Sequence, residues 1–454
     1  MSLKFNFQSN FVWGVASSAY QIEGGWDCDG KGPSIWDAFC HENSNIANAQ
    51  TGDISCNHYE NYLNDIKLMH SLGINAYRFS ISWPRVFPNG DKVLNSKGLE
   101  FYDKLVDALI EYNITPYITL YHWDLPQALE DQGGWQNRDT AVAFSEYAAF
   151  ICKHFSTRVK NYITINEPQI ILFLGYHNGI HAPGLKLSMG ATLNVIHNLA
   201  LAHGMAVNAM RLSANAPVLI GFSSTGELCY PYENQDSSST NFKSSTKEDI
   251  DTARSMSFTV TKDNWMFCHT IFCDAVCLGK YPDILGEPAS KLISAFKDGD
   301  MEIMHQPIDF LGVNIYNGHC VDSNGFVPRE PGFPRTALKW PITPEVMNWG
   351  TRFIYERYQL PIYITENGLS CHDKIYLDGK VHDQERIDFL QRYLLELEKS
   401  YSAGTDISGY FHWSFTDNFE WHNGYEDRFG LIYIDYQTQE RIPKDSALWY
   451  KSII

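Results

Sequence analysis

The chain has 454 residues, 44% hydrophobic and 19% charged, with a mean hydropathy of -0.28. That is ample material for a large buried core, and it excludes disordered and fibrous classes. Its 53 Asp and Glu outweigh 35 Lys and Arg, and the resulting charge of -18 repels phosphate backbones and anionic lipid, which argues against nucleic-acid and membrane partners and for a neutral substrate. The first ten residues contain no apolar run ahead of a small-residue cleavage site. No later stretch supplies the roughly 18 uninterrupted apolar residues of a membrane span.

Eight short runs rich in β-branched or aromatic residues then follow, at 11–16, 76–81, 115–120, 162–166, 218–223, 310–316, 362–365 and 409–413. Helix-period stretches separate them: Tyr59, Tyr62, Leu63, Ile66 and Met69 on one face, stopped by Gly73; Tyr102, Leu105, Val106 and Leu109; Phe144, Tyr147, Ala148 and Ile151; and Ile387, Leu390, Tyr393, Leu394 and Leu397. Alternating strand and helix predicts an α/β protein with a parallel sheet, and eight repeats suit a closed (β/α)8 TIM barrel with long βα loops better than an open sheet. The fifth and sixth runs are separated by a long insertion whose Ser-rich part, 235–247, reads as a surface loop. No linker or composition break divides the chain, so a single barrel domain over 1–454 is expected.

Ten Cys are scattered from Cys28 to Cys371. The tightest group, Cys268, Cys273 and Cys277, lacks zinc-ligand spacing, so reduced thiols in a cytoplasmic protein are expected. No Gly-rich phosphate loop, HExxH or GxSxG pattern occurs, and neither a metal nor a cofactor is inferred.

In a barrel of this type chemistry gathers where strands end and the following loops begin. Those positions are polar here: Gln21, Arg78, His122, Asn166 with Glu167, the segment from Asn314 to Tyr316, Glu366 with Asn367, and Trp413. Glu167 in TINEP and Glu366 in ITENG would face one mouth. Two carboxyls on one cleft suit glycosidic cleavage, with one attacking the anomeric carbon and the other protonating the departing oxygen; the plainer alternative is a pair of rim carboxylates salt-bridged to Arg78.

The ordered motifs FVWGVASSAYQIEG, RFSISWPR, YHWDLPQAL, TINEP, GYHNGIHAPG, ITENG, YFHWSFTDNFEW and GYEDRFGL resemble those of β-glucosidases of glycoside hydrolase family one over nearly the whole chain. The resemblance implies a retaining hydrolase of terminal β-D-glucosyl residues from cello-oligosaccharides or aryl and alkyl β-glucosides. It implies Glu366 as nucleophile, Glu167 as acid/base, Asn166 on the sugar 2-hydroxyl, and Arg78 and Tyr316 holding the nucleophile. Gln21, His122, Trp413, Glu420 and Trp421 would grip the sugar, Tyr316 also bordering it. Trp340 would form the platform for the leaving group, with Phe173, Tyr176 and His177 as further rim candidates. Glu420, reinforced by Asp427, would repel a sugar 6-phosphate. The rivals are a broad β-galactosidase or β-fucosidase, a transglycosylase on the same site, and a non-catalytic sugar-binding barrel.

Overall fold

The computed structural model describes residues 4–42, 45–233, 245–284 and 286–454. The eight expected runs are strands: β1 Val12–Ala16, β2 Ala76–Ser80, β3 Thr115–Tyr121, β4 Asn161–Asn166, β5 Leu219–Ser224, β6 Phe310–Asn314, β7 Ile362–Asn367 and β8 Ile407–Trp413. They close into one barrel, each parallel to both neighbours, with β1 sealing against β8. Because all strands run the same way, every C-terminal end lies at one rim. There Ala16 pairs with Arg78 and Trp413, Asn314 with Glu366, and Asn166 with Ser223.

The helices form where the apolar period places them. In Ser96–Glu111 the buried set is Leu99, Tyr102, Leu105, Val106 and Leu109 with their neighbours. Arg138–Phe155 buries Phe144, Tyr147, Ala148 and Ile151 and starts where the Asn137 side chain accepts the Asp139 N–H at 3.0 Å. One expected face is revised: in His58–Ser71, Ile66 and Met69 are buried, but Leu63 is exposed, since the barrel covers a narrower stripe than the apolar residues span. The insertion after β5 is structured on both sides of the Ser-rich stretch, with a strand Cys229–Pro231 and helices Lys247–Phe258 and Thr270–Leu278. The surface loop expected at 235–247 falls, for 235–244, outside the described residues.

Large rings fill the barrel and make a floor for its open end. Ala16, Ala76, Tyr117, Phe411, Trp413 and Phe429 pack as one cluster, with Tyr316, Trp340 and Tyr363 against it. Gly14 makes room: a Cβ there would stand 2.4 Å from the Phe411 ring.

Beyond β8 the chain makes a long loop over the rim, and buried charges fix it. The Asp417 carboxylate, with no exposed side-chain surface, accepts hydrogen bonds from Lys444 Nζ at 2.6 Å, Arg428 Nη1 at 2.7 Å and the Gly430 N–H at 3.0 Å. Lys444 Nζ also donates to Asp373 at 2.6 Å, and Asp373 accepts from Arg386 at 2.7 Å. Asp417→Ala would remove one of the two carboxylates that hold buried Lys444 and the carboxylate that Arg428 pairs with, so it is expected to lower unfolding free energy by about 3–5 kcal/mol, measured by chemical denaturation. A loss below about 1 kcal/mol, the scale of a surface pair, would show that the cluster does not hold this loop.

Candidate active site

A cavity of about 570 Å³ opens at the C-terminal rim, and Glu167 and Glu366 both line it. Each is more than nine-tenths buried, yet each reaches this space. The backbone around them is irregular. Register shifts interrupt the β4 and β7 pairings just before Asn166 and Glu366, as bulges do when they re-aim a side chain. Glu167, Trp123 and Trp421, all on the cavity, sit at positive φ of 48, 79 and 49°, a cost accepted only where surrounding structure enforces it. After β7 only glycine fits, because a Cβ on Gly368 would lie 1.8 Å from the Trp413 carbonyl oxygen.

One hydrogen-bonded network joins the two carboxyls. Arg78, fully buried, donates from Nη1 to Glu366 Oε1 at 2.6 Å, from Nη2 to Asn166 Oδ1 at 2.6 Å, and from Nε to Thr119 Oγ1 at 3.1 Å. Tyr316 Oη donates to the other Glu366 oxygen at 2.8 Å. The Asn314 amide then donates to Asn166 Oδ1 at 3.1 Å and to Glu167 Oε1 at 2.9 Å. With its oxygen occupied by two donors, the Asn166 amide nitrogen turns to His122 Nε2 at 3.2 Å, which therefore accepts, leaving the imidazole proton on Nδ1.

These contacts separate the two acids. Burial first, and the Glu366 charge second, push the Glu167 carboxyl up to about 8, against the opposing pull of Asn314, Arg78 and Thr225. Repulsion between the two carboxyls is thus the smaller of the two causes. Burial raises Glu366 as well, but Arg78 and Tyr316 oppose that rise with charge and hydrogen bonds. The pair therefore keeps its proton on Glu167 and its negative charge on Glu366. Burial and the Arg78 charge press His122 well down, so its ring is neutral. Glu420 is raised well above the carboxylate range by burial and by Asp427. Its Oε2 and His122 Nδ1 are buried without protein partners, as expected of groups that meet a polar ligand.

Of the residues singled out from sequence, His122, Tyr316, Trp413, Glu420, Trp421, Trp340 and Phe173 line the cavity with the two acids. Arg78 and Asn166 stand directly behind them. Gln21 lies behind the wall rather than in it: its amide donates to Asn418 Oδ1 at 3.1 Å and to the Phe419 carbonyl at 2.9 Å, and accepts from Ser18 at 2.7 Å. Two rim candidates are corrected. Tyr176 has no exposed surface; its hydroxyl donates to Glu130 and accepts from the Trp135 N–H, so the ring is drawn inward by two polar partners. His177 turns its ring onto Trp265, 5.9 Å between centroids, and is not part of the cavity wall.

Sequence reasoning noted Asn314 as a polar strand end but gave it no role, and it missed Trp123, His181, His422, Thr225 and Glu227 on the wall. The polar end of β6 was the available signal for Asn314; the others lie in loops, where only tertiary contact reveals a shared surface. Among the described residues no group of three or more His, Cys, Asp or Glu could hold a metal ion.

The sequence model described as Glycosyl hydrolase family 1 matches residues 3–454. The chain is 40% identical to a 1,4-beta-D-glucan glucohydrolase of Thermotoga neapolitana, covering 99% of this chain and 98% of the relative. It is 40% identical to beta-glucosidase A of Thermotoga maritima, with 99% and 97% covered. The solved structure of the Thermotoga maritima beta-glucosidase in complex with glucoimidazole superposes with a TM-score of 0.87 at 41% identity, covering 99% of this chain and 98% of that one.

Tyr316→Phe deletes a donor that favours the Glu366 anion, so the Glu366 carboxyl should titrate at higher pH, followed by carbon-13 carboxyl NMR. An unchanged or lower value would contradict this account of the pair.

Proposed function

The chain belongs to glycosyl hydrolase family 1, and from that premise we propose how its site works as a retaining β-glucosidase and which residues do the work. The observation that carries the reading is the asymmetric carboxyl pair: Glu366 anchored by Arg78 and Tyr316 on one side of the cavity, Glu167 raised by burial on the other.

Ionised Glu366 attacks the anomeric carbon while Glu167 gives its proton to the departing glycosidic oxygen, and a covalent glycosyl-enzyme forms with inversion at that carbon. Esterification removes the Glu366 charge, and Glu167, now an anion, takes a proton from water as it adds to the anomeric carbon with a second inversion. Net configuration is retained. Asn166, held by Arg78 and Asn314, would turn its amide to the sugar 2-hydroxyl, a contact that strengthens as charge develops. Trp413 and Trp421 would pack on the pyranose C–H faces, with Glu420 and His122 supplying the unpartnered acceptor and donor to its hydroxyls. Gln21 would brace the segment that carries Glu420.

Substrates in this reading are unphosphorylated: burial and the neighbouring acids already resist negative charge on Glu420, and a 6-phosphate would bring a further anion to that same acidic end of the cavity, near Asp427 and Glu366. Breakdown of cellulose-derived oligosaccharides in the cytoplasm fits the reading and is supported by ten cysteines that are all free thiols. Among the described residues no helix is long and apolar enough to cross a membrane, and the charge of -18 supports a small neutral glycoside rather than a nucleic acid as partner.

Glu366→Ala should abolish turnover of nitrophenyl β-glucoside, and azide should restore it with the inverted α-glucosyl azide as product. Glu167→Ala should lose on the order of 10²–10⁴-fold on alkyl glucosides but far less on dinitrophenyl glucoside, whose leaving group needs no proton. Full activity of Glu366→Ala, or equal losses on both leaving groups for Glu167→Ala, would reject the assignments.

A further inference from the structure

The acid/base is held by more than the network that joins it to Glu366. Its backbone N–H donates to the Ser223 carbonyl at 2.8 Å, so the end of β5 carries the main chain of Glu167. The next residues meet its side chain. Thr225 lines the cavity, and its hydroxyl touches the Glu167 carboxyl and favours the ionised form. The same hydroxyl donates to the Asn314 carbonyl at 3.3 Å, long for a bond between two oxygens. One proton thus has two acceptors within reach, a carbonyl and a carboxyl.

Behind Thr225 lies a cluster of polar side chains that the substrate does not touch. Gln169, two residues past Glu167 in the short helix Pro168–Ile170, accepts the Thr225 N–H at 3.4 Å and donates from its amide nitrogen to Ser224 Oγ at 2.9 Å. Cys273 Sγ donates to the same Ser224 oxygen at 3.2 Å. With both lone pairs taken, the Ser224 hydroxyl has only its proton left, and it gives this to His269 Nδ1 at 2.9 Å. His269 therefore carries its own proton on Nε2. Its ring packs directly on Gly226, where a Cβ would stand 3.1 Å from the ring Cδ2. His269 precedes the helix Thr270–Leu278, which also bears Cys273, so the residues on either side of Thr225 are both held from one helix.

Gln169, Ser224 and His269 have almost no exposed surface. Burying an amide, a hydroxyl and an imidazole costs more than apolar side chains of like size would, and a bonded network gives rigidity at one place in return. That place is Thr225. Burial pushes His269 down to about 4 and the Cys273 thiol well up, so neither changes charge while Glu167 titrates. The charged and titratable groups that act on Glu167 itself are Glu366, Arg78, Tyr316 and Glu420, and all four lie outside this cluster.

We propose that Gln169, Ser224 and His269 are positioning residues for the acid/base: they fix Thr225 so that its hydroxyl turns from the Asn314 carbonyl to the Glu167 carboxylate when the proton leaves for the glycosidic oxygen. When Glu167 takes a proton from water in the second step, the hydroxyl swings back. The Asn314 amide serves Glu167 in both states, whereas the Thr225 hydroxyl follows the charge. The inference rests on the β-glucosidase reading above and adds how its acid is tuned.

The test titrates the Glu167 carboxyl by carbon-13 NMR and records kcat/KM against pH on p-nitrophenyl β-D-glucoside. It uses the unaltered protein, Thr225→Val, Thr225→Ser, Gln169→Met and Ser224→Ala. Thr225→Val should move the Glu167 titration and the alkaline limb of the profile up by about one pH unit, the scale of a hydrogen bond to a charged group. Gln169→Met and Ser224→Ala, which leave the hydroxyl present but unheld, should move both in the same direction by less, and Thr225→Ser should keep the unaltered titration. An unmoved or lowered titration in Thr225→Val would overturn the proposal, as would a Thr225→Ser shift equal to that of Thr225→Val. Lower turnover with an unmoved titration in Gln169→Met and Ser224→Ala would mark the cluster as structural and overturn it equally. If Ser224→Ala fails to fold, Gln169→Met reads the same shift. The NMR arm needs no turnover, so folded unaltered protein that cleaves no β-glucoside would reject the β-glucosidase reading while the titration still decides whether the cluster positions Thr225.

Discussion

One buried guanidinium decides which of two neighbouring acids keeps its proton. Arg78 is hydrogen-bonded to Glu366 directly but linked to Glu167 by hydrogen bonds only through the amides of Asn166 and Asn314, so its charge acts on Glu167 from farther away. In an interior of low effective dielectric such a difference in placement is amplified. Burial alone would raise both carboxyls and leave two neutral acids, with neither a nucleophile nor a second step. With Arg78 and Tyr316 on Glu366, one acid is held ionised and the other protonated, the division of labour that double displacement requires.

The rest of the fold keeps that arrangement in place. The polar ends of β2, β4, β6 and β7 meet at one rim because the strands are parallel and the barrel is closed, and an aromatic floor beneath them excludes water. The loop bearing Glu420 and Trp421 has little regular structure of its own. It is tied down by the cluster of Asp417, Lys444, Arg428, Asp373 and Arg386. A buried cluster of this kind is a weak source of net stability but a strong constraint on geometry, because each charge is costly without its partners. Positive φ at Glu167, Trp123 and Trp421 shows where the backbone is bent to suit the cavity.

The barrel was legible in the sequence because its determinants are local and periodic. Short β-branched runs alternate with stripes such as Leu105–Val106–Leu109, and each strand lies within two residues of its expected place. The acids were legible because each follows a strand in a distinctive motif. What sequence could not show was direction. Tyr176 turns inward because Glu130 and the Trp135 N–H happen to lie there, and His177 finds Trp265. Asn314 gains its meaning from touching residues far away in the chain. Loop residues take their roles from tertiary neighbours that no periodicity encodes.

The claim that one proton is shared unequally, and is released when the Glu366 charge disappears, can be read directly from Glu167. Its carboxyl would be titrated by carbon-13 NMR in the free protein and again after reaction with an activated 2-deoxy-2-fluoroglucoside. The account predicts that mass spectrometry finds the adduct on Glu366 and that the Glu167 carboxyl then titrates at a clearly lower pH than before. An adduct on another residue, or a Glu167 titration unmoved by the adduct, would contradict it.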